Sequence, residues 1–263
     1  MEVVGYSERG VINSLFYEIK YSQNNLRLLN GLLSCIFFPY RSVNFEISDA
    51  RILIEQSFSD FGAADAVVLV ENKSRKQAMF IEAKVNAFKN WDISKEFGKF
   101  TKTIEKIREK IRRNKDAKEI KKLKDDIGSN LFLQLYSKTR MVKTLQKGDI
   151  VQLQEGIQFP EMSTKDKRKI GDNEVVLKVV SQLKPYCKDA FFVVVVPEDI
   201  SRLRRFYQDT LKNYSPTGFQ EWDVRSWGYI SWAGVEDFCR RYGLKETLKV
   251  FEFNKGQIYK NAA

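Results

Sequence analysis

Between Phe58 and Lys84 the chain reads FSDFGAADAVVLVENKSRKQAMFIEAK, two apolar runs of strand length joined by the polar turn ENKSRK. Runs of this kind bounded by turn formers fold as a β-hairpin. Three ionisable residues stand where buried strands call for apolar ones: Asp65 near the start of the first run, Glu82 and Lys84 at the end of the second. Period-two alternation sends Phe80, Glu82 and Lys84 to one face of the second strand and Met79, Ile81, Ala83 and Val85 to the other. Antiparallel pairing returns the end of the second strand to the start of the first, so Asp65, 17 positions before Glu82, approaches it in space. A carboxylate and an ammonium side by side near a strand end are costly to bury unless paired or given an ionic ligand. Asp60 is a second acid at this end. It precedes Gly62 in the turn, where capping or bending the backbone is its other role.

The rest of the chain supplies helices and one more strong strand. Leu15, Phe16 and Ile19, then Leu26, Leu28, Leu29, Leu32 and Leu33, recur at helical spacing and predict one or two opening helices over 11–37. Val43 to Gln56 alternates in part and predicts a strand or hairpin. The basic stretch 93–127 carries Ile104, Ile107 and Ile111 on one helical face, as expected of one long helix or a helical hairpin. A helix is expected from Asn130 to Thr144, loops from Gln146 to Asn173, and VVLKVVSQL fits either strand or helix. FFVVVV, stopped by Pro197, reads as a strand covered on both faces. Asp199 or Ser201 is placed to cap the helix after it. A helix from Val235 to Tyr242 and a final strand or hairpin, LKVFEFNKGQIY, close an order that defines a mixed α/β domain.

Composition removes whole classes of chemistry. The chain has no histidine, which excludes a Ser/His/Asp triad, a histidine base and a histidine-bound zinc within it. Cys35, Cys187 and Cys239 have no close pairing and read as reduced core residues, not as a disulfide scaffold or thiolate metal centre. Carboxylates and lysine remain as the chemical groups. The opening MEVVGYSERGV lacks the order of a secretion signal and LLNGLLSCIFF is too short to span a bilayer, so a soluble, intracellular, cytoplasmic protein is expected. Forty-five Lys and Arg against 34 Asp and Glu leave +11, which favours an anionic partner, nucleic acid first; solubility alone is the competing explanation.

Asp65 and Glu82 supply hard oxygen ligands suited to magnesium or manganese, and the Ala83 carbonyl is a candidate third ligand. With Lys84 beside them, the set suits phosphodiester hydrolysis: a metal on the scissile phosphate, with lysine orienting water or stabilising charge. An edge hairpin carrying a surface salt bridge is the bland alternative.

These residues resemble the PD-(D/E)XK nuclease superfamily. Glu82-Ala83-Lys84 is similar to its E-x-K element and Asp65 to the acid opening the preceding strand, with Ala64 where the motif has proline. The resemblance covers roughly residues 12–90 and, more loosely, 190–196. It implies a restriction endonuclease-like mixed central β-sheet flanked by helices, spanning 1–263 as a single domain; the basic helical stretch at 91–130 departs from the family's pattern as an insertion, and 215–263 is a candidate aromatic-rich C-terminal elaboration. It also implies metal-dependent cleavage of DNA, less often RNA, with Mg2+ or Mn2+ and no nucleotide or iron–sulfur cofactor. Glu18 matches the acid some members place on the first helix; Glu8 and Glu55 are other carboxylates for that role. Gln134, with Lys138 one helical turn on, is a candidate for entering the site from a later helix. The Q-x-x-x-Y pattern is absent, because the tyrosine is Tyr136.

Nucleic-acid contacts are expected from basic residues outside the site. Thr101 to Lys124 holds eleven Lys or Arg and four acids, a local balance of +7, with Lys106, Lys110, Arg113, Lys115, Lys118, Lys121 and Lys122 as candidates. Arg202, Arg204 and Arg205 follow the buried strand; Trp222, Trp227, Tyr229 and Trp232 either stack on bases or pack in the core. Three function classes follow: a metal-dependent nuclease, probing DNA first; a nucleic-acid-binding subunit that keeps the fold without turnover; and an unrelated structural α/β protein. A homodimer would aid paired cuts by symmetry, though no sequence feature demands one.

Overall fold

A computed structural model describes residues 7–58, 61–85, 91–113, 119, 122–123, 128–147, 173–215 and 222–259. In chain order the described elements are α1 (Ser7–Tyr21), α2 (Asn25–Ser34), β1 (Asp49–Ser57), β2 (Ala63–Glu71), β3 (Lys76–Ala83), α3 (Ile93–Arg112), α4 (Leu131–Gln146), α5 (Glu174–Leu183), β4 (Asp189–Val196), α6 (Ile200–Phe206), β5 (Trp227–Ser231), α7 (Trp232–Tyr242) and α8 (Lys245–Ile258). One 3-10 turn, Lys184–Tyr186, leads into β4, and one π-helical turn, Tyr207–Leu211, extends α6.

The five strands form a mixed sheet in the order β1-β2-β3-β4-β5. β1, β2 and β3 are an antiparallel meander, as the hairpin reading requires, and β4 and β5 add in parallel. The turn ENKSRK closes through Asn72, whose side chain accepts from the Ser74 and Arg75 amides. Strand parity divides β3 as expected. Ala78 and Phe80 face a core beneath α3, α4, α5 and α6, together with Val67 and Leu69 of β2; Met79, Ile81 and Ala83 face a second core beneath α1, α2, α7 and α8, with Ala66, Val68 and Val70. β4 is buried along seven of its eight residues, as its unbroken apolar run predicts. The protein is therefore a mixed α/β fold with a mixed five-stranded sheet flanked by helices.

Several local expectations resolve here. VVLKVVSQL is helical, as α5, capped by Asn173. Asp199 caps α6 by accepting from the Arg202 amide, and Ser201 donates to Asp199. LKVFEFNKGQIY is not a strand but α8: Thr247, Val250, Phe251, Asn254 and Ile258 are its buried residues, a helical spacing that the Phe-Glu-Phe alternation masks. Trp227, Tyr229 and Trp232 are buried and Trp222 packs against the first core, so all four aromatics serve packing. The cysteines are free, with Cys187 and Cys239 buried. The expected loops over 148–172 and the acid Asp60 lie outside the described residues. Among the described residues no helix is long and apolar enough to cross a membrane.

Candidate carboxylate and lysine site

The β2–β3 ladder runs from Glu71 opposite Lys76 to Ala66 opposite Ile81, and the next residues in that register are Asp65 and Glu82. Here side chains take over from the ladder. The Ala83 amide donates to Asp65 Oδ2 at 2.7 Å, and Lys138 Nζ of α4 donates to the Ala63 carbonyl at 2.6 Å. A strand residue presents its N–H and C=O to the same neighbour, so the Ala83 carbonyl also points toward the β2 side, where Asp65 lies. Lys84 is fixed by its backbone: its amide donates to the Val195 carbonyl at 2.8 Å, and its carbonyl accepts from Trp232 Nε1 at 2.8 Å. The three residues singled out from the hairpin thus meet at one end of adjacent strands.

Glu82 is only 2% exposed, and its Oε1 lies 2.6 Å from the equally buried Lys138 ammonium. No other donor reaches that oxygen among the described residues. α4 carries Leu131, Phe132, Leu135, Tyr136, Thr139 and Val142 into the core and is capped by Asn130, which accepts from the Phe132 and Leu133 amides. A lysine in the middle of so buried a helix has no route to water and must find an anion and a carbonyl inside. Gly62 turns the chain beside this lysine with φ +77°, a left-handed conformation that favours glycine; a Cβ there would stand 3.4 Å from Lys138 Nζ, an ordinary contact. Gln134, the residue paired with Lys138 in the sequence reading, is half-buried and its Oε1 meets no donor among the described residues.

The carboxylates are held above their usual range. Burial drives Asp65 up; the Ala83 amide and Lys84 pull it back, and nearby Glu8 pushes with burial. Burial also raises Glu82, with Lys138 and Lys84 opposing and Asp65 adding to the rise. Lys138 is displaced downward by the same burial, against the attraction of Glu82. Both partners are therefore driven toward their neutral forms, and their mutual attraction only partly offsets the loss of water.

α1 reaches this end of the sheet with its first turns. Arg9 Nε is 3.9 Å from Asp65 Oδ1, and its NH1 is 3.7 Å from Glu55 Oε2, whose other oxygen accepts from Asn13. Glu55 itself has φ +50°, a left-handed conformation that is costly for a residue with a side chain. Glu18 is not at the site. Its two oxygens accept from the Glu246 amide, the Thr247 amide and the Thr247 hydroxyl, which makes it the cap of α8. The acid of α1 that acts on Asp65 is Glu8. Helical periodicity could not choose between them, because the choice depends on which end of α1 meets the sheet.

Of the basic residues expected to meet nucleic acid, Lys106, Lys122 and Arg205 are exposed. Lys110 is paired with Glu119 and Arg113 with Glu109, and Arg202 bridges Asp92 and Glu198. Lys118 and Lys121 lie outside the described residues.

Among the described residues no group of three or more His, Cys, Asp or Glu side chains is arranged to hold a metal ion. Magnesium does not require one: it keeps several waters and is commonly bound through one or two carboxylates with substrate phosphate. Asp65 and Glu82 are two carboxylates side by side in register, one oxygen of each already engaged, by the Ala83 amide and by Lys138, and a cation beside them would oppose the burial that raises their pKa values. Comparison with protein-family models, with curated proteins and with solved structures returned no match. The site stands on its own geometry.

Proposed function

We propose that this protein is a metal-dependent nuclease of restriction endonuclease-like fold, hydrolysing phosphodiester bonds in nucleic acid, DNA first. The observation that carries the reading is the bond from the Ala83 amide to Asp65, which holds that carboxylate against the strand end bearing Glu82 and Lys84. Asp65, Glu82 and the Ala83 carbonyl would hold Mg2+ or Mn2+, and such an ion would supply positive charge to the scissile phosphate and acidify water beside it. Lys84, its backbone pinned on both sides, extends its ammonium from the same strand to steady charge on the phosphate oxygens. Arg9 sets the direction of Asp65, and Lys138 sets that of Glu82.

The test is cleavage of plasmid DNA, single-stranded DNA and RNA with Mg2+ or Mn2+. Wild type is expected to cut at least one of them, and Asp65→Ala and Lys84→Ala to lose about 100-fold or more in rate, the scale for removing a charge-stabilising group. Wild-type rates in both variants, or no product from any substrate, would falsify the assignment. One observation favours a second reading, a nucleic-acid-binding subunit without turnover: the Lys138 ammonium already neutralises Glu82. In that case DNA binding is unchanged in Asp65→Ala and Lys84→Ala, and no metal-dependent product forms.

A further inference from the structure

We propose that the outer face of α3 is a backbone-tracking interface on which Lys95, Lys99, Lys102 and Lys106 grip successive phosphates of a nucleic-acid strand. The proposal rests on nucleic acid being the substrate of the site above, and it names where that substrate lies. The four lysines are spaced by four, three and four residues, which confines them to an arc of about 60° on a helix of 3.6 residues per turn. All four are exposed, and among the described residues none is in an ion pair; the neutralised cations, Lys110 and Arg113, come only further along the same face.

The opposite face of α3 explains why the stripe is rigid. Phe97, Phe100 and Ile104 are buried in the first core and Ile107 is buried as well, so α3 cannot turn and has no apolar side to sink into a bilayer. A membrane-surface helix needs that apolar side free. What remains outward is polar and mostly basic, with the exposed Glu105 and Glu109 lying beside the lysine arc and not within it, which suits a polyanion's backbone and not base edges. The dimensions also fit. Eleven residues of helix rise span about 16 Å, and successive lysines, three or four residues apart, stand about 4.5–6 Å apart along it, one for each phosphate of a strand run alongside.

The stripe starts at the catalytic end of the sheet. The Ile93 amide donates to Glu198 just beyond β4, and the preceding Asp92 pairs with Arg202. Lys84 is bonded to Val195 at the end of the same strand. A strand laid on α3 therefore runs toward the end of β4 at which Lys84 is anchored, entering by Lys95 and leaving by Lys106 or the reverse. This is a nonspecific grip, and it predicts cutting without a recognition sequence contributed by α3.

The experiment measures binding without catalysis. Fluorescence anisotropy of the full chain with a labelled DNA duplex and a labelled single strand is recorded in EDTA across a salt series. The variant Lys95→Ala/Lys99→Ala/Lys102→Ala/Lys106→Ala is compared with a control of equal charge change, Lys20→Ala/Lys73→Ala/Lys178→Ala/Lys245→Ala, whose lysines are exposed elsewhere. Each phosphate contact contributes about 0.9 to the slope of log K against log salt on duplex and about 0.7 on single strand. The stripe variant is expected to lose about three units or more of slope on duplex, and the control less than one. Equal losses in the two variants, an unchanged slope in the stripe variant, or wild-type binding to phosphatidylserine vesicles but not to DNA would each overturn the proposal. Stripe-dependent binding with no cleavage in Mg2+ or Mn2+ keeps this interface and rejects the nuclease reading, so the two failures are distinguishable.

Discussion

The two ends of the β2–β3 hairpin carry the same residue types and treat them in opposite ways. At the turn, Glu71 pairs with Lys76 at 3.0 Å and accepts from the Tyr186 hydroxyl, and these contacts hold its carboxyl below the usual range. At the open end, Asp65 and Glu82 sit beside Lys84 and Lys138, and burial holds both carboxyls above it. An acid and a lysine therefore do not define a site. The turn end shows what such a pair becomes when it merely closes a hairpin: within reach of water, mutually satisfied and with ionisation of the acid favoured. The open end holds its carboxyls where ionisation is disfavoured, the condition under which a group is poised to bind a cation or move a proton.

Removing the buried cation is the strongest way to break this contrast. Lys138→Met leaves Glu82 without a counter-ion in the core and is expected to cost about 3–5 kcal/mol. The double variant Lys138→Met/Glu82→Gln restores most of it, since the uncompensated charge is gone. Lys76→Met at the turn end leaves the urea midpoint within the error of the fit. Equilibrium urea unfolding reads all three; an unaffected Lys138→Met would mean that Glu82 is reached by water and that the ends do not differ.

The first helix gives a smaller test with two readouts. Glu18→Ala removes the cap of α8 and is expected to cost about 1 kcal/mol, with cleavage retained. Glu8→Ala, exchanging the acid whose charge is felt by Asp65, changes metal dependence of cleavage more than it changes stability. The reverse pattern would return the role to Glu18 and detach α1's first turn from the site.

Much of the site was legible because it depends on local periodicity. Period two sets Glu82 and Lys84 on one face, and a short turn returns the chain so that Asp65 arrives opposite Glu82; both follow from sequence distance alone. Lys138 needed more. Its isolation among the apolar positions of FLQLYSKTRMVKTL marks it as a lysine on a helix face bound for the core, but only the packing of α4 over β3 shows which acid it meets. Glu18 and Glu8 differ in the same way, by tertiary placement. α8 failed for another reason: KVFEF alternates like a strand while Val250, Phe251, Asn254 and Ile258 repeat like a helix, and only the longer window separates them.

The smallest expected effect is also the sharpest in sign. Asp65→Asn keeps an oxygen for the Ala83 amide and removes a buried charge, so at pH 7 it is expected to stabilise the fold by about 0.5–1 kcal/mol, at the expense of activity. Glu71→Gln, which loses contacts that favour its charge, destabilises. Their pH dependences run in opposite directions. Asp65 has a folded-state pKa above its unfolded one, so its contribution is most favourable below about pH 4 and declines as pH rises to the raised folded value. Glu71 has a folded-state pKa below its unfolded one, so its contribution is complete above the unfolded value and is lost as pH falls through the folded one. Difference curves of unfolding midpoint between wild type and each variant, taken from pH 3 to 8, should slope oppositely. Parallel curves would mean that the open end of the hairpin is as well solvated as the turn, and the case for a poised carboxylate at Asp65 would fall with it.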